Sequence, residues 1–413
     1  MVPRVVIEDA HRSRVHGFGR WDAFLVALLL LLTASVLEAC GGSPDRKEPD
    51  IELGALINMS ATGDPDTQAA IRLAVEDVNA FFAGRGPHPR VRLTIEGTGL
   101  DPDVAIEKIE FLAARGLNIV IGPESSGELE AIKPFTDEND IVLLSHCSTA
   151  PSLAIPGDSV YRLVPSDLRQ AEAIARLIDE NGHRAIVPMW RAGVWGDDIS
   201  SAAGQQFVAL GGSVFPGVRF DPEEADFSDD LAALNAQVAD ARASFGNTVA
   251  VAFFSFGTEG AAVLAQAADV PALGTVTWYG SDGTALSREI LDEPRAAQFA
   301  VQTGFFNTLF ADVHTPEADA VRERISAAIG GGGVHFCATA AYDAVWLAAL
   351  SAADAGTENL DSFKLVLIAV ADSYEGATGP TTLDAAGDRA DAAYDVWAIE
   401  EENGQYMWAP VAP

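Results

Sequence analysis

The chain has 413 residues, 48% of them hydrophobic, and its 60 acidic and 26 basic side chains leave a net charge of −34. That hydrophobic share excludes a disordered chain. So large a negative charge, with no basic stripe to override it, excludes nucleic acid as a partner and reads as solubility in an exposed or salty compartment.

The first segment is a basic leader with Arg4, Arg12, Arg14 and Arg20, followed by an apolar run from Phe24 to Leu32. The run suits the core of an export signal and falls short of the roughly 20 residues a spanning helix needs. It closes on Leu37-Glu38-Ala39-Cys40 and Gly41-Gly42-Ser43-Pro44. This resembles the bacterial lipobox, in which the cysteine is lipidated and becomes the new N-terminus. Residues 1–40 are therefore expected to be a lipoprotein signal peptide with Cys40 the lipid attachment, and residues 41–50 a polar tether. No later stretch reads as a membrane span, so the expected location is extracytoplasmic, on a bacterial membrane.

Beyond the tether, short apolar runs alternate with helical patterns, the signature of α/β architecture with parallel sheets. Ile51 to Ile57 reads as a first strand. Ile71, Ala74, Val75, Val78 and Phe82 then share one helical face. Val91 to Ile95 is a second strand. Asp101-Pro102 supplies an N-cap and a first-turn proline for a helix with Ile106, Ile109 and Leu112 in one stripe and Gly116 at its close. Asn118 to Ile121 and Ile141 to Leu144 are short, continuous runs of the kind buried on both faces. The rhythm restarts with strands at Ala185 to Met189, Val214 to Phe220, Val249 to Phe254 and Thr275 to Tyr279, with Leu231, Leu234 and Val238 on an intervening helix. Two successive runs of βα units predict two similar lobes.

Open parallel sheets bind ligands beyond the carboxyl ends of their strands. Those ends carry Gly122-Pro123-Glu124-Ser125-Ser126-Gly127, Ser145-His146-Cys147-Ser148-Thr149-Ala150-Pro151, Ser255-Phe256-Gly257-Thr258 and Gly280-Ser281-Asp282-Gly283. Hydroxyls and N–H groups from one half, with an aromatic and a carboxylate from the other, suit a zwitterion.

Those loops, with Tyr161 to Asp167, Tyr342-Asp343-Ala344-Val345, Thr378-Gly379-Pro380, Leu383-Asp384 and Gly387-Asp388, resemble in order the type I periplasmic binding proteins, specifically the branched-chain (Leu/Ile/Val) amino-acid receptors of ABC importers. The resemblance spans nearly the whole chain after the tether. It implies two Rossmann-like lobes with parallel central sheets joined by three hinge crossings. The first lobe would comprise 51–165 and 305–376, the second 166–304 and 377–411. The implied function is capture of an amino acid or similar small zwitterion or amide by cleft closure, with delivery to an ABC permease. The alternative is a sensory or regulatory lipoprotein that clamps a protein partner.

Carried over position by position, Ser125 or Ser126 would meet a ligand carboxylate with the Thr149 N–H. The Thr149 hydroxyl and the Cys147 carbonyl, beside Ser148, would meet its ammonium, which Asp282 completes from the other lobe. Trp195 and Phe256 are candidate pocket walls or core residues, whereas Trp278 and Tyr279 read as core. Cys147 and Cys337 are free to pair in an oxidising compartment, and the sequence leaves the pairing open. No G-x-S-x-G, H-E-x-x-H or G-x-x-x-x-G-K-[ST] pattern occurs, and the histidines show no metal-ligand spacing. No enzyme activity, cofactor or metal is expected.

Overall fold

The computed structural model describes residues 50–59, 65–85, 89–391 and 393–411. The expected signal peptide, Cys40 and all but the last residue of the tether lie outside these.

The first lobe opens with strand β1 (Ile51–Ile57), helix α1 (Pro65–Ala83), strand β2 (Val91–Gly97) and helix α2 (Pro102–Ala114). Helix α2 begins as its sequence dictates: the Asp101 carboxylate accepts the N–H groups of Asp103 and Val104, and Pro102 takes the first helical position, where no donor is needed. Strand β3 (Ile119–Ile121), helix α3 (Ser126–Glu138), strand β4 (Val142–Ser145) and strand β5 (Val160–Arg162) follow. The five strands pair in parallel in the order β2-β1-β3-β4-β5. The direction of winding reverses between β1 and β3, so the loops leaving those strands flank a crevice. Gly122 stands at that point with φ +102°, and a Cβ there would lie 2.2 Å from the Leu56 carbonyl oxygen. Only glycine fits so close a passage of two backbones.

After a first crossing, helix α4 (Asp167–Glu180), strand β6 (Ala185–Arg191), helix α5 (Val194–Ala209) and strands β7 (Ser213–Val214) and β8 (Val218–Phe220) start the second lobe. Helix α6 (Ser228–Phe245), strand β9 (Val249–Phe254), helix α7 (Gly257–Ala267), strand β10 (Thr277–Gly280), helices α8 (Arg288–Asp292) and α9 (Pro294–Thr303) and strand β11 (Phe306–Phe310) continue it. The chain then returns to the first lobe with helices α10 (Pro316–Ala328), α11 (Phe336–Ala355) and α12 (Leu360–Ser373) and a small hairpin, β12 (Glu375–Gly376) with β13 (Gly379–Pro380). It ends in the second sheet with β14 (Tyr394–Glu402) and β15 (Gln405–Pro410). The order there is β15-β14-β11-β10-β9-β6-β7, with β8 also on β6; only the β11–β14 and β14–β15 pairs are antiparallel.

Three expectations change. Val214 to Phe220 is two strands, because Pro216-Gly217 breaks the run and Gly217 takes φ +80° against the Pro188 carbonyl. Residues 306–310 belong to the second sheet, since β11 pairs with β10, so the return to the first lobe falls after Phe310 and not at 305. The third concerns α11, which is long and apolar enough to cross a membrane, yet 89% of its apolar window is buried. It is the core helix of the first lobe, with Ala338, Ala341, Val345 and Ala348 packed among Ile71, Ala74 and Val78 of α1. Trp278 and Tyr279 are fully buried, as read from the sequence.

The crossings are tied by buried polar groups. Arg162, fully buried at the end of β5, makes a two-pronged ion pair with Asp388 and donates to the Ala150 carbonyl at 2.7 Å. Asp343 of α11 accepts the N–H groups of Ala377 at 2.8 Å and Thr378 at 2.9 Å, and the Thr378 hydroxyl at 2.6 Å. These bonds satisfy a carboxylate that burial pushes above the usual range. The Tyr-Asp and Gly-Asp pieces of the sequence pattern thus fasten the segments near the crossings.

Candidate functional site

The carboxyl ends of both sheets face one small cavity, lined from the first lobe by Thr149, Pro165 and Phe336, and from the second by Asp167, Gln170, Asp282, Phe310 and Tyr394. It measures about 10 Å³, the room one water molecule needs.

Thr149 reaches it from the loop after β4. Asp167 is the first residue of α4, whose N-cap is Ser166. The Thr149 hydroxyl donates to Asp167 Oδ2 at 2.8 Å, and the Asp167 N–H donates to the Thr149 carbonyl at 2.9 Å. Asp282 follows β10, and its Oδ1 is a buried acceptor with no hydrogen-bond partner among the described residues. Its neighbour must be glycine: a Cβ on Gly283 would stand 2.5 Å from the Ser255 carbonyl and 2.7 Å from the Trp195 ring.

Burial drives the Asp167 carboxyl well above its ordinary range, and the Asp282 charge drives it further. Burial also raises Asp282, against opposing help from His335, Ser281, the Gly283 N–H and Gln170. The Tyr394 hydroxyl is pushed well up by burial and by the same two acids. The two acids thus share one cavity whose lining holds no Lys or Arg.

The other expected site residues fall elsewhere. Ser125 caps α3 in a reciprocal box with Glu128: the Ser125 N–H donates to Glu128 Oε2 at 2.8 Å, and the Glu128 N–H to Ser125 Oγ at 3.2 Å. The Ser126 hydroxyl meets that of Ser148 at 2.9 Å and accepts the N–H groups of Thr149 at 3.3 Å and Ala150 at 3.2 Å. Trp195 and Phe256 pack on each other with ring centroids 4.7 Å apart, and the Arg191 guanidinium lies 4.1 Å over Phe256. None of these lines the cavity.

Cys147 and Cys337 form a disulfide with Cα atoms 5.1 Å apart, which ties the Thr149 loop to the first turn of α11 beside Phe336. With His335 the two sulfurs form a cluster within 4.8 Å, of metal-ligand composition, but both sulfurs are spent on each other. His146 is fully buried with Nε2 3.7 Å from Glu124 Oε2. Burial raises the Glu124 carboxyl, but His146 and the Asn58 N–H outweigh it and hold it below the usual range.

Asp167, Gln170, Phe310, Phe336 and Tyr394 were not singled out from the sequence as ligand contacts. The usable signal was Ser166-Asp167, a helix cap directly after a hinge segment, which places a carboxylate at the mouth of the cleft.

Two open α/β lobes, three crossings and a pocket at the facing strand ends define a two-lobed ligand receptor of the type I periplasmic binding fold. The family described as receptor family ligand binding region matches residues 66–402, and the chain belongs to it. An uncharacterised protein of Methanocaldococcus jannaschii is 30% identical over 404 residues, which cover 92% of this chain and 95% of that one. The Leu/Ile/Val-binding protein BraC3 of Rhizobium johnstonii is 23% identical over 261 residues, 62% of this chain and 67% of its own. The leucine binding protein LivK of Thermotoga maritima superposes with a TM-score of 0.71 at 20% identity, covering 88% of this chain and 99% of LivK.

Proposed function

We propose that the chain is an extracytoplasmic solute-binding protein that holds a small ammonium-bearing solute, of the size of an amino acid, between its lobes and delivers it to an ABC permease. The carrying observation is the cavity at the interlobe strand ends, which Asp167, Asp282 and Thr149 all line. The names of the Leu/Ile/Val-binding protein BraC3 and the leucine binding protein LivK support an amino-acid-sized solute. The solute enters an open cleft, and contacts to both lobes draw it shut, because only the closed form satisfies them together. The lobes stay as the sheets define them, with the crossings near 163–166, 311–315 and 381–393 as hinges.

In this reading Cys40 carries a lipid that keeps the receptor at the membrane, supported by the signal-like leader and the small residues that follow it. The site performs no covalent chemistry.

The test is thermal unfolding of the full chain against the proteinogenic amino acids, their amides and their amines. A solute at 100 times its Kd stabilises by about 2.7 kcal/mol, a readily measured shift. If no such solute moves the midpoint, the receptor reading fails.

A further inference from the structure

The hydroxyls and the Thr149 N–H that the sequence offered to a ligand carboxylate are already bonded within the protein. The Thr149 and Ala150 N–H groups both point at Ser126 Oγ. The Ser126 and Ser148 hydroxyls bond each other, and the Ser148 N–H goes to Ser145 Oγ at 3.2 Å. Ser145 in turn donates to the Pro123 carbonyl at 2.7 Å, and the Ser125 hydroxyl to Glu128 at 2.7 Å. The Thr149 hydroxyl is given to Asp167. His335 accepts the Cys337 N–H on Nδ1 at 3.4 Å and so caps α11, and it does not line the cavity.

The acceptors are in the opposite state. Asp282 Oδ1 is buried, lines the cavity and lacks a donor, and Asp167 stands across from it with one oxygen already occupied by Thr149. A ligand carboxylate would add a third acidic group to a desolvated space that already holds two, with nothing cationic in the lining. An ammonium with N–H bonds supplies both the missing charge and the missing donor. A quaternary ammonium supplies the charge and leaves Oδ1 unpaired. The remaining walls, Phe310, Phe336 and Tyr394, are aromatic and suit a short apolar stem beside a cation.

We propose that the solute held between Asp167 and Asp282 is a small primary alkylammonium without a carboxylate, and not a zwitterionic amino acid. This rests on the solute-receptor reading and narrows it.

Calorimetry on the full chain in mild detergent, with matched pairs, tests it: ethylamine against alanine, isobutylamine against valine, and isopentylamine against leucine. In at least one pair the amine is expected to bind tenfold or more tightly than its amino acid. The N-trimethyl form of that amine should lose at least tenfold, and Asp282→Asn should lose at least tenfold for the amine. Tighter amino-acid binding in every pair that binds overturns the inference and leaves the receptor reading standing. Equal binding of the trimethyl form overturns the N–H requirement. No binding by any amine overturns the inference, and the thermal screen then shows whether the receptor reading falls with it.

Discussion

Thr149 and Asp167 hold each other by two hydrogen bonds, hydroxyl to carboxylate at 2.8 Å and N–H to carbonyl at 2.9 Å. The pair joins a first-lobe loop to the first turn of the first second-lobe helix, directly across a hinge crossing. Thr149→Val keeps the shape and removes the hydroxyl, leaving a buried carboxylate oxygen without its donor. The expected cost is about 1–3 kcal/mol of stability, read by denaturant unfolding. No change in the midpoint would show that Asp167 does not depend on this bond.

The two acids make a signed prediction for pH. Their folded pKa values are raised, so the unliganded protein gains stability when they are protonated and loses it as pH rises through the raised values. Asp167→Asn removes that loss. Its unliganded form is expected to melt about 2 °C or more above the parent at pH 7, with the difference shrinking toward pH 4. Ligand binding runs the other way: protons compete with an ammonium for the same carboxylates, so affinity falls as pH drops.

Arg162 and Asp388 test the hinge. Both are buried, and the pair links the edge of the first sheet to the segment that returns toward β14, with Ala150 held by the same guanidinium. Removing one partner, as in Arg162→Met, strands the other charge and is expected to cost about 3–5 kcal/mol. The double change Arg162→Met with Asp388→Leu should recover much of that loss. A double variant as unstable as the single one would mean that packing, and not the unpaired charge, sets the cost.

The Cys147–Cys337 disulfide closes a sequence separation of 190 residues and fastens the Thr149 loop to α11. Its loss, by reductant or by Cys147→Ser with Cys337→Ser, is expected to cost about 2–5 kcal/mol. The thermal midpoint with and without reductant reads it. The double variant should be insensitive to reductant.

Much of the fold was legible because local patterns and burial agreed. The runs at 119–121 and 141–144 are apolar throughout and sit inside the first sheet, buried on both faces. The Asp101-Pro102 start is local chemistry and appears unchanged. The site was legible only in part. Asp282 and Thr149 sit on strand ends and could be found by reading those ends. Phe310, Phe336 and Tyr394 arrive at the cavity from the end of β11, the start of α11 and the start of β14, with no local pattern that marks them. Ser126 and Ser148 show the converse. Their residue types suit a ligand carboxylate, but the folded loops turn those hydroxyls on each other, which no spacing in the sequence discloses. Placing residues 305–310 in the first lobe failed because a strand at a crossing looks the same whichever sheet it joins.

The most direct test is the affinity of Asp282→Asn beside the parent chain, by calorimetry, for the solute giving the largest thermal shift among the amino acids, amides and amines. Asparagine keeps the size of the side chain and removes its charge. The account predicts at least a tenfold loss of affinity, with an unliganded melting midpoint at pH 7 equal to or above that of the parent. Unchanged affinity would place the solute somewhere other than between the two lobes and contradict the account.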